Sequence, residues 1–108
     1  MKTDRELLEA AAKAAGIAVD GGAGERGGLH LSAGGFWNPL TDDGDAFRLS
    51  VQLDIQPAFF SNVVFVGVVG LMMPIAKEEI GDDKCAATRR AIVRAAAAMQ
   101  EANETSSS

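Results

Sequence analysis

The chain has a single cysteine, Cys85, a single histidine, His30, and no tyrosine. One cysteine excludes an internal disulfide. With one histidine beside it, the chain falls short of the roughly four Cys/His ligands of a structural zinc site. Basic residues are scarce as well, ten against fifteen acids, for a net charge of −5. A grip on nucleic-acid phosphates needs a basic surface, so direct nucleic-acid binding is not expected. An acidic surface suits a basic partner instead. In "MKTDRELLEA", acids stand where a secretion signal requires an apolar run, which makes the cytoplasm the expected compartment. A length of 108 residues predicts one domain, placed at 1–102, followed by a polar, disordered tail at 103–108.

Against this scarcity stands one long uncharged run, "IQPAFFSNVVFVGVVGLMMPIA", between Asp54 and Lys77. About 20 apolar residues cross a bilayer as a helix, so its length admits a membrane span. Its interior argues for a sheet. Gln56 and Pro57 interrupt its start, Ser61-Asn62 stands where a hairpin needs its turn, and valines dominate the block that Pro74 closes. The expectation is a β-hairpin, Asp54 to Phe60 and Val63 to Val69, continuing past a bend at Gly70 into "LMMPI". A strand apolar on both sides needs cover on both sides, and no membrane contact is expected.

Three helices can supply that cover. "TDRELLEAAAKAAGI" has the capping-box pair Thr3 and Glu6, and Gly16 as a left-handed stop. "TDDGDAFRLSVQL" carries acids in its first turn, with Ala46, Phe47, Ser50 and Leu53 toward the core and Leu49 at the edge. "KCAATRRAIVRAAAAMQEA", capped by Asp82 or Asp83, has Cys85, Ile92, Ala96 and Met99 as its buried stripe. "IAV" and "LHLS" read as short strands, and "AGGFWNPL" and "KEEIGDD" as loops. The fold class expected is α+β: a single-domain α/β/α sandwich with three helices covering a small, mostly antiparallel sheet.

Three segments, "TDRELLEAAAKAAGI", "FWNPLTDDGDAFRLSVQLDI" and "GDDKCAATRRAIVRAAAAMQEA", together resemble the phage ABA sandwich domain family of small proteins from tailed bacteriophages and prophages. The resemblance covers about half the chain, and its most specific element is "WNPL" before an acidic helix start. It implies an α/β/α sandwich made inside a bacterial cell, and it supplies no catalytic residues.

Candidate chemistry is thin. Gly22 to Gly27 matches G-x-G-x-x-G, but "GLHLSAGG" follows where a dinucleotide site needs a helix to open. The carboxylates of "DDGD" lack calcium-loop spacing, and helix-start charge accounts for them. Neither a cofactor nor a metal is expected, and no nucleophile–base pair points to catalysis. Partner contact falls to Phe36, Trp37, Asp42, Asp43 and Asp45, with Trp37 as core plug the competing role. Arg89, Arg90 and Arg94 form a basic patch suited to a phosphate or acidic ligand, or else to solvent.

The leading expectation is a non-catalytic phage accessory protein that binds a host or phage macromolecule. Stoichiometric inhibition of a host defence system, as by an anti-CRISPR or another anti-defence factor, is the specific form. Two alternatives stand beside it. One is a binder of a nucleotide-like signal using the glycine loop, Trp37 and the arginines. The other is an assembly component that forms homodimers through an exposed Val63–Met73 strand edge.

Overall fold

The computed structural model describes residues 2–23, 28–68, 70 and 74–106, the side chains of 21–23, 105 and 106 excepted. Element order is α1 (Asp4–Ala15), β1 (Val19–Ala23), β2 (Leu29–Leu31), β3 (Phe36–Trp37), α2 (Asp43–Leu53), β4 (Ile55–Phe60), β5 (Val63–Val68), β6 (Pro74–Glu79) and α3 (Lys84–Ser106). The fold is α+β, with three helices and antiparallel strands. The strands divide into two three-stranded sheets, β1-β2-β3 and β4-β5-β6, rather than one.

Local chemistry sets the helix ends. Thr3 and Glu6 form the capping box in both directions. The Thr3 hydroxyl oxygen accepts from the Glu6 N–H at 3.1 Å and the Glu6 carboxylate from the Thr3 N–H at 3.0 Å. Hydrogen bonds from Thr3 to the Glu6 carboxylate, the backbone N–H first, hold that carboxyl below the usual glutamate range. Gly16 stops α1 in the left-handed region at φ 71°. Asp42 caps α2, its carboxylate accepting from the Asp45 N–H at 2.8 Å, and Asp83 accepts from the Ala86 N–H at 3.0 Å at the start of α3.

The long uncharged run is sheet. β4 and β5 form the hairpin, Ile55 opposite Val68 through Phe60 opposite Val63, and turn at Ser61-Asn62 with Ser61 at φ 58°. No helix among the described residues is long and apolar enough to cross a membrane. The third strand lies later than expected. It begins at Pro74 and takes in Lys77, Glu78 and Glu79, which the sequence pattern assigns to a loop. The expected strand start at Leu71–Met73 lies outside the described residues. β5 is the central strand, paired to β4 and β6, so Val63–Val68 offers no free edge for homodimers.

Helix α3 is the hub. It packs on α1, on α2 and on all three strands of the β4–β6 sheet. Ala91, Val93, Ala95 and Ala96 are fully buried there, on more than one side of the helix. Alanines let the neighbouring backbones approach closely, while Ile92 and Val93 fill the remaining space. Cys85 is exposed, not part of a buried stripe, because it sits in the first turn beyond that packing. At its other end α3 runs through Ser106, where a disordered tail was expected.

Cover on both faces of the uncharged strands does not occur. Ile55, Val64 and Val66 are buried on the helix side. Strand alternation sends Ala58 and Phe60 to the other face, where both are exposed.

Candidate functional site: an apolar groove between α2, β4 and α3

A groove of about 820 Å³ opens between the second helix, the first hairpin strand and the start of the third helix. Its first wall is α2, contributing Asp43, Ala46, Phe47, Ser50 and Val51, residues that share one side at helical spacing. The opposite wall is the first turns of α3, with Lys84, Cys85, Thr88, Arg89 and Ile92. Strand β4 makes the floor with Ile55, Pro57 and Phe59. Its volume lies within the roughly 300–1,000 Å³ of typical ligand sites.

The stripe on α2 explains the wall. Ala46, Leu49 and Ser50 are buried, whereas Phe47 is 67% exposed and Val51 59%. The core face is therefore turned toward Leu49 relative to the sequence expectation, and Phe47 is rotated out. Ala46 and Leu49 take the core positions, which leaves Phe47 and Val51, one turn apart, exposed. On the floor, consecutive Phe59 and Phe60 must face opposite sides of the strand. Phe59 turns to the groove and stays 47% exposed.

Charges around the groove fall into two kinds. Asp43 and Arg89 pair across it at 2.6 Å, and the Arg89 Nε donates to the Leu40 carbonyl at 2.8 Å. Lys84 and Asp54 make no ion pair among the described residues. Lys84 rests over the Phe59 ring, its Nζ 4.4 Å from the centroid. Asp54 caps α2 in the left-handed region at φ 56°, immediately before β4.

The residues singled out from sequence are dispersed. Trp37 is only 5% exposed and sits in the core, so it cannot anchor a partner. Its neighbour Phe36 points the other way, 58% exposed, with its ring 5.4 Å from that of His30. The His30 Nδ1 hydrogen-bonds the Asp20 carboxylate. Asp42 is occupied as a cap. Asp45 accepts from the Asn38 N–H at 2.9 Å and from Arg48 at 2.7 Å. The Asn38 side chain in turn accepts from the Leu40 N–H at 3.1 Å. The "WNPLTDD" stretch is thus a corner that seats α2, and of its acids only Asp43 lines the groove.

Nor do the arginines make one patch. Arg89 faces this groove, while Arg90 and Arg94 face a second cleft of about 480 Å³ between α1, α3 and β6. There Arg90 meets Asp4 at 3.2 and 3.3 Å, Arg94 meets Glu78, and Lys2 meets Glu101 at 3.2 Å. A phosphate would have to displace carboxylates to reach them. The nucleotide constellation is separated too, with Trp37 buried and the arginines paired. The glycine motif falls partly outside the described residues, and the segment that follows it is strand β2, where a dinucleotide site needs a helix. Among the described residues, no group of three or more His, Cys, Asp or Glu is placed to hold a metal.

Sequence reasoning missed Phe47, Val51, Phe59 and Lys84. One signal was available: Phe59-Phe60 in a period-2 strand puts one aromatic on each face, and α2 has more apolar positions than one stripe accommodates.

No family model matches the chain, no curated protein matches it, and no solved structure matches it.

Proposed function

We propose that this protein is a binding module that engages another polypeptide through the α2–β4–α3 groove. The observation that carries the reading is the outward placement of Phe47, Val51 and Phe59 around one concavity. Scattered apolar residues on a surface need no explanation, but a contiguous apolar patch around a concave floor marks a contact site. The paired Asp43 and Arg89 bridge the groove at its α2 end and keep that wall in place. The chemistry of such a site is recognition: apolar burial supplies affinity, and Asp54 and Lys84 at the rim orient the partner.

A narrower reading makes the module a phage or prophage accessory protein that stoichiometrically inhibits a host defence system. It rests on the resemblance of the three segments and not on the groove, and action in the bacterial cytoplasm belongs to it.

The test replaces Phe47 and Val51 together by serine. Both side chains are exposed, so the melting temperature is expected to hold, and capture of a specific polypeptide, from bacterial lysate or as a differently tagged copy of the chain, is expected to fall at least about tenfold. Undiminished capture by the doubly substituted protein would overturn the groove as the contact face.

A further inference from the structure

Resting on the reading of this groove as a contact face, we propose that its occupant is a second copy of the chain, docked face to face about a two-fold axis that crosses β4. Three observations select this occupant.

The first is charge. Of the charged residues lining the groove, Asp43 and Arg89 satisfy each other, while Asp54 and Lys84 have no ionic partner among the described residues. Asp54 precedes β4, and Lys84 lies over Phe59 near the strand's far end. Five strand steps separate Asp54 from Phe59, on the order of 16 Å, too far for these two charges to pair within one chain. A two-fold axis perpendicular to β4 reverses the strand direction in the second copy. Lys84 of each copy then meets Asp54 of the other, and the two charges are satisfied twice. Such self-complementarity is what an isologous interface requires.

The second is area. With about 200 Å² available per phenylalanine, Phe47, Phe59 and Val51 together expose roughly 300 Å² of apolar surface. A stable interface buries about 800 Å² per partner, around an apolar centre with a polar rim. These three side chains make up less than half of that area, as its apolar centre, and Gln56, Thr88, Asp54 and Lys84 line the same groove as a polar rim.

The third concerns the mode of contact. β4 is an edge strand without a charge from Ile55 to Phe60, whereas the opposite edge, β6, carries Lys77, Glu78 and Glu79. Charge on an edge strand opposes pairing with other chains, so the β4 side is the one left open. Pro57 nevertheless removes a backbone donor from β4, which disfavours simple extension of the sheet. The copies therefore meet through side chains, with Phe47 of each filling the concavity of the other.

Sedimentation equilibrium of the full chain over about 5 to 500 µM tests this, using Lys84→Asp, Asp54→Lys and the double variant. The expected result is a reversible dimer whose dissociation constant rises about tenfold in each single variant and returns to within about threefold of the parent in the double. Alkylation of Cys85, which is exposed and adjacent to Lys84, is expected to slow as protein concentration rises. A monomer throughout that range, or a dimer indifferent to the swaps, overturns the proposal. A monomer that still loses partner capture on replacement of Phe47 and Val51 leaves the contact-face reading standing with a foreign polypeptide as occupant. A dimer insensitive to both the charge swaps and the serine replacements overturns the proposal, and undiminished capture by the same serine variant would overturn the contact-face reading as well.

Discussion

Arg89 on α3 ties two points of the chain to the helix at once, donating from Nη1 to Asp43 at 2.6 Å and from Nε to the Leu40 carbonyl at 2.8 Å. Its side chain is largely covered, whereas Asp43 is largely exposed. The ion pair itself is worth little in water, but the carbonyl is left without this donor if Arg89 is lost. Arg89→Ala is expected to lower unfolding free energy by about 1–2 kcal/mol and Asp43→Ala by less than about 1 kcal/mol. Urea denaturation of the two variants checks the order; equal losses would mean that the carbonyl bond contributes nothing.

Phe36 and Trp37 are adjacent in sequence and opposite in role. β3 pairs Leu29 with Trp37 and His30 with Phe36, so one aromatic enters the core and the other leaves it. Trp37→Ala is expected to cost about 3–5 kcal/mol, a large part of the total stability of a small domain. Phe36→Ala is expected to stay within about 1 kcal/mol. Thermal melts distinguish them. Gly28, whose added Cβ would lie 3.1 Å from both the Trp37 carbonyl oxygen and the Asn38 Cβ, reports the same corner, and Gly28→Ala is expected to lower the melting temperature.

On α2 the same contrast separates core from contact face. Leu49 is fully buried and Phe47 exposed. Leu49→Ala is expected to cost about 2–5 kcal/mol. Phe47→Ala is expected to change stability by no more than about 0.5 kcal/mol while weakening partner binding. A Phe47 variant that unfolds as readily as the Leu49 variant would return Phe47 to the core.

Glu6 supplies a pH dependence of known sign. Its carboxylate accepts from Thr3, which lowers its pKa in the folded chain. The resulting stabilisation is fully present above the unfolded-state value and is lost as pH falls through the lower folded value. Glu6→Gln keeps a side-chain acceptor for the capping box but removes the titration. Its melting temperature is expected to fall less steeply than the parent's as the pH is lowered below about 4. Parallel curves would show that the capping box does not couple to proton binding.

Much of the architecture was legible because it rests on local rules. The capping box at Thr3 and Glu6, the left-handed stop at Gly16 and the turn at Ser61-Asn62 each depend on a few adjacent residues, and each stands where the pattern places it. What failed depends on partners distant in sequence. Lys77 to Glu79 look like a loop because they are charged, yet they pair with Val63 to Phe65 as an edge strand whose outer side tolerates charge. Arg89, Arg90 and Arg94 look like one patch, yet their counter-charges come from α2, α1 and β6. Helical periodicity alone could not decide between Phe47 and Leu49, because the choice depends on the volume left beneath α2. The groove was illegible for the same reason: it exists only once α2, β4 and α3 meet.

The central claim is that this protein's contact face is the α2–β4–α3 groove. Site-specific photocrosslinking in bacterial cells tests it most directly, with a photoreactive phenylalanine analogue placed at position 47, 59 or 36 in turn. The groove account predicts defined crosslinked products from positions 47 and 59 and none from position 36, which is also phenylalanine and has an exposure between theirs. Products from position 36 alone would place the contact face on the β1–β3 sheet and contradict it.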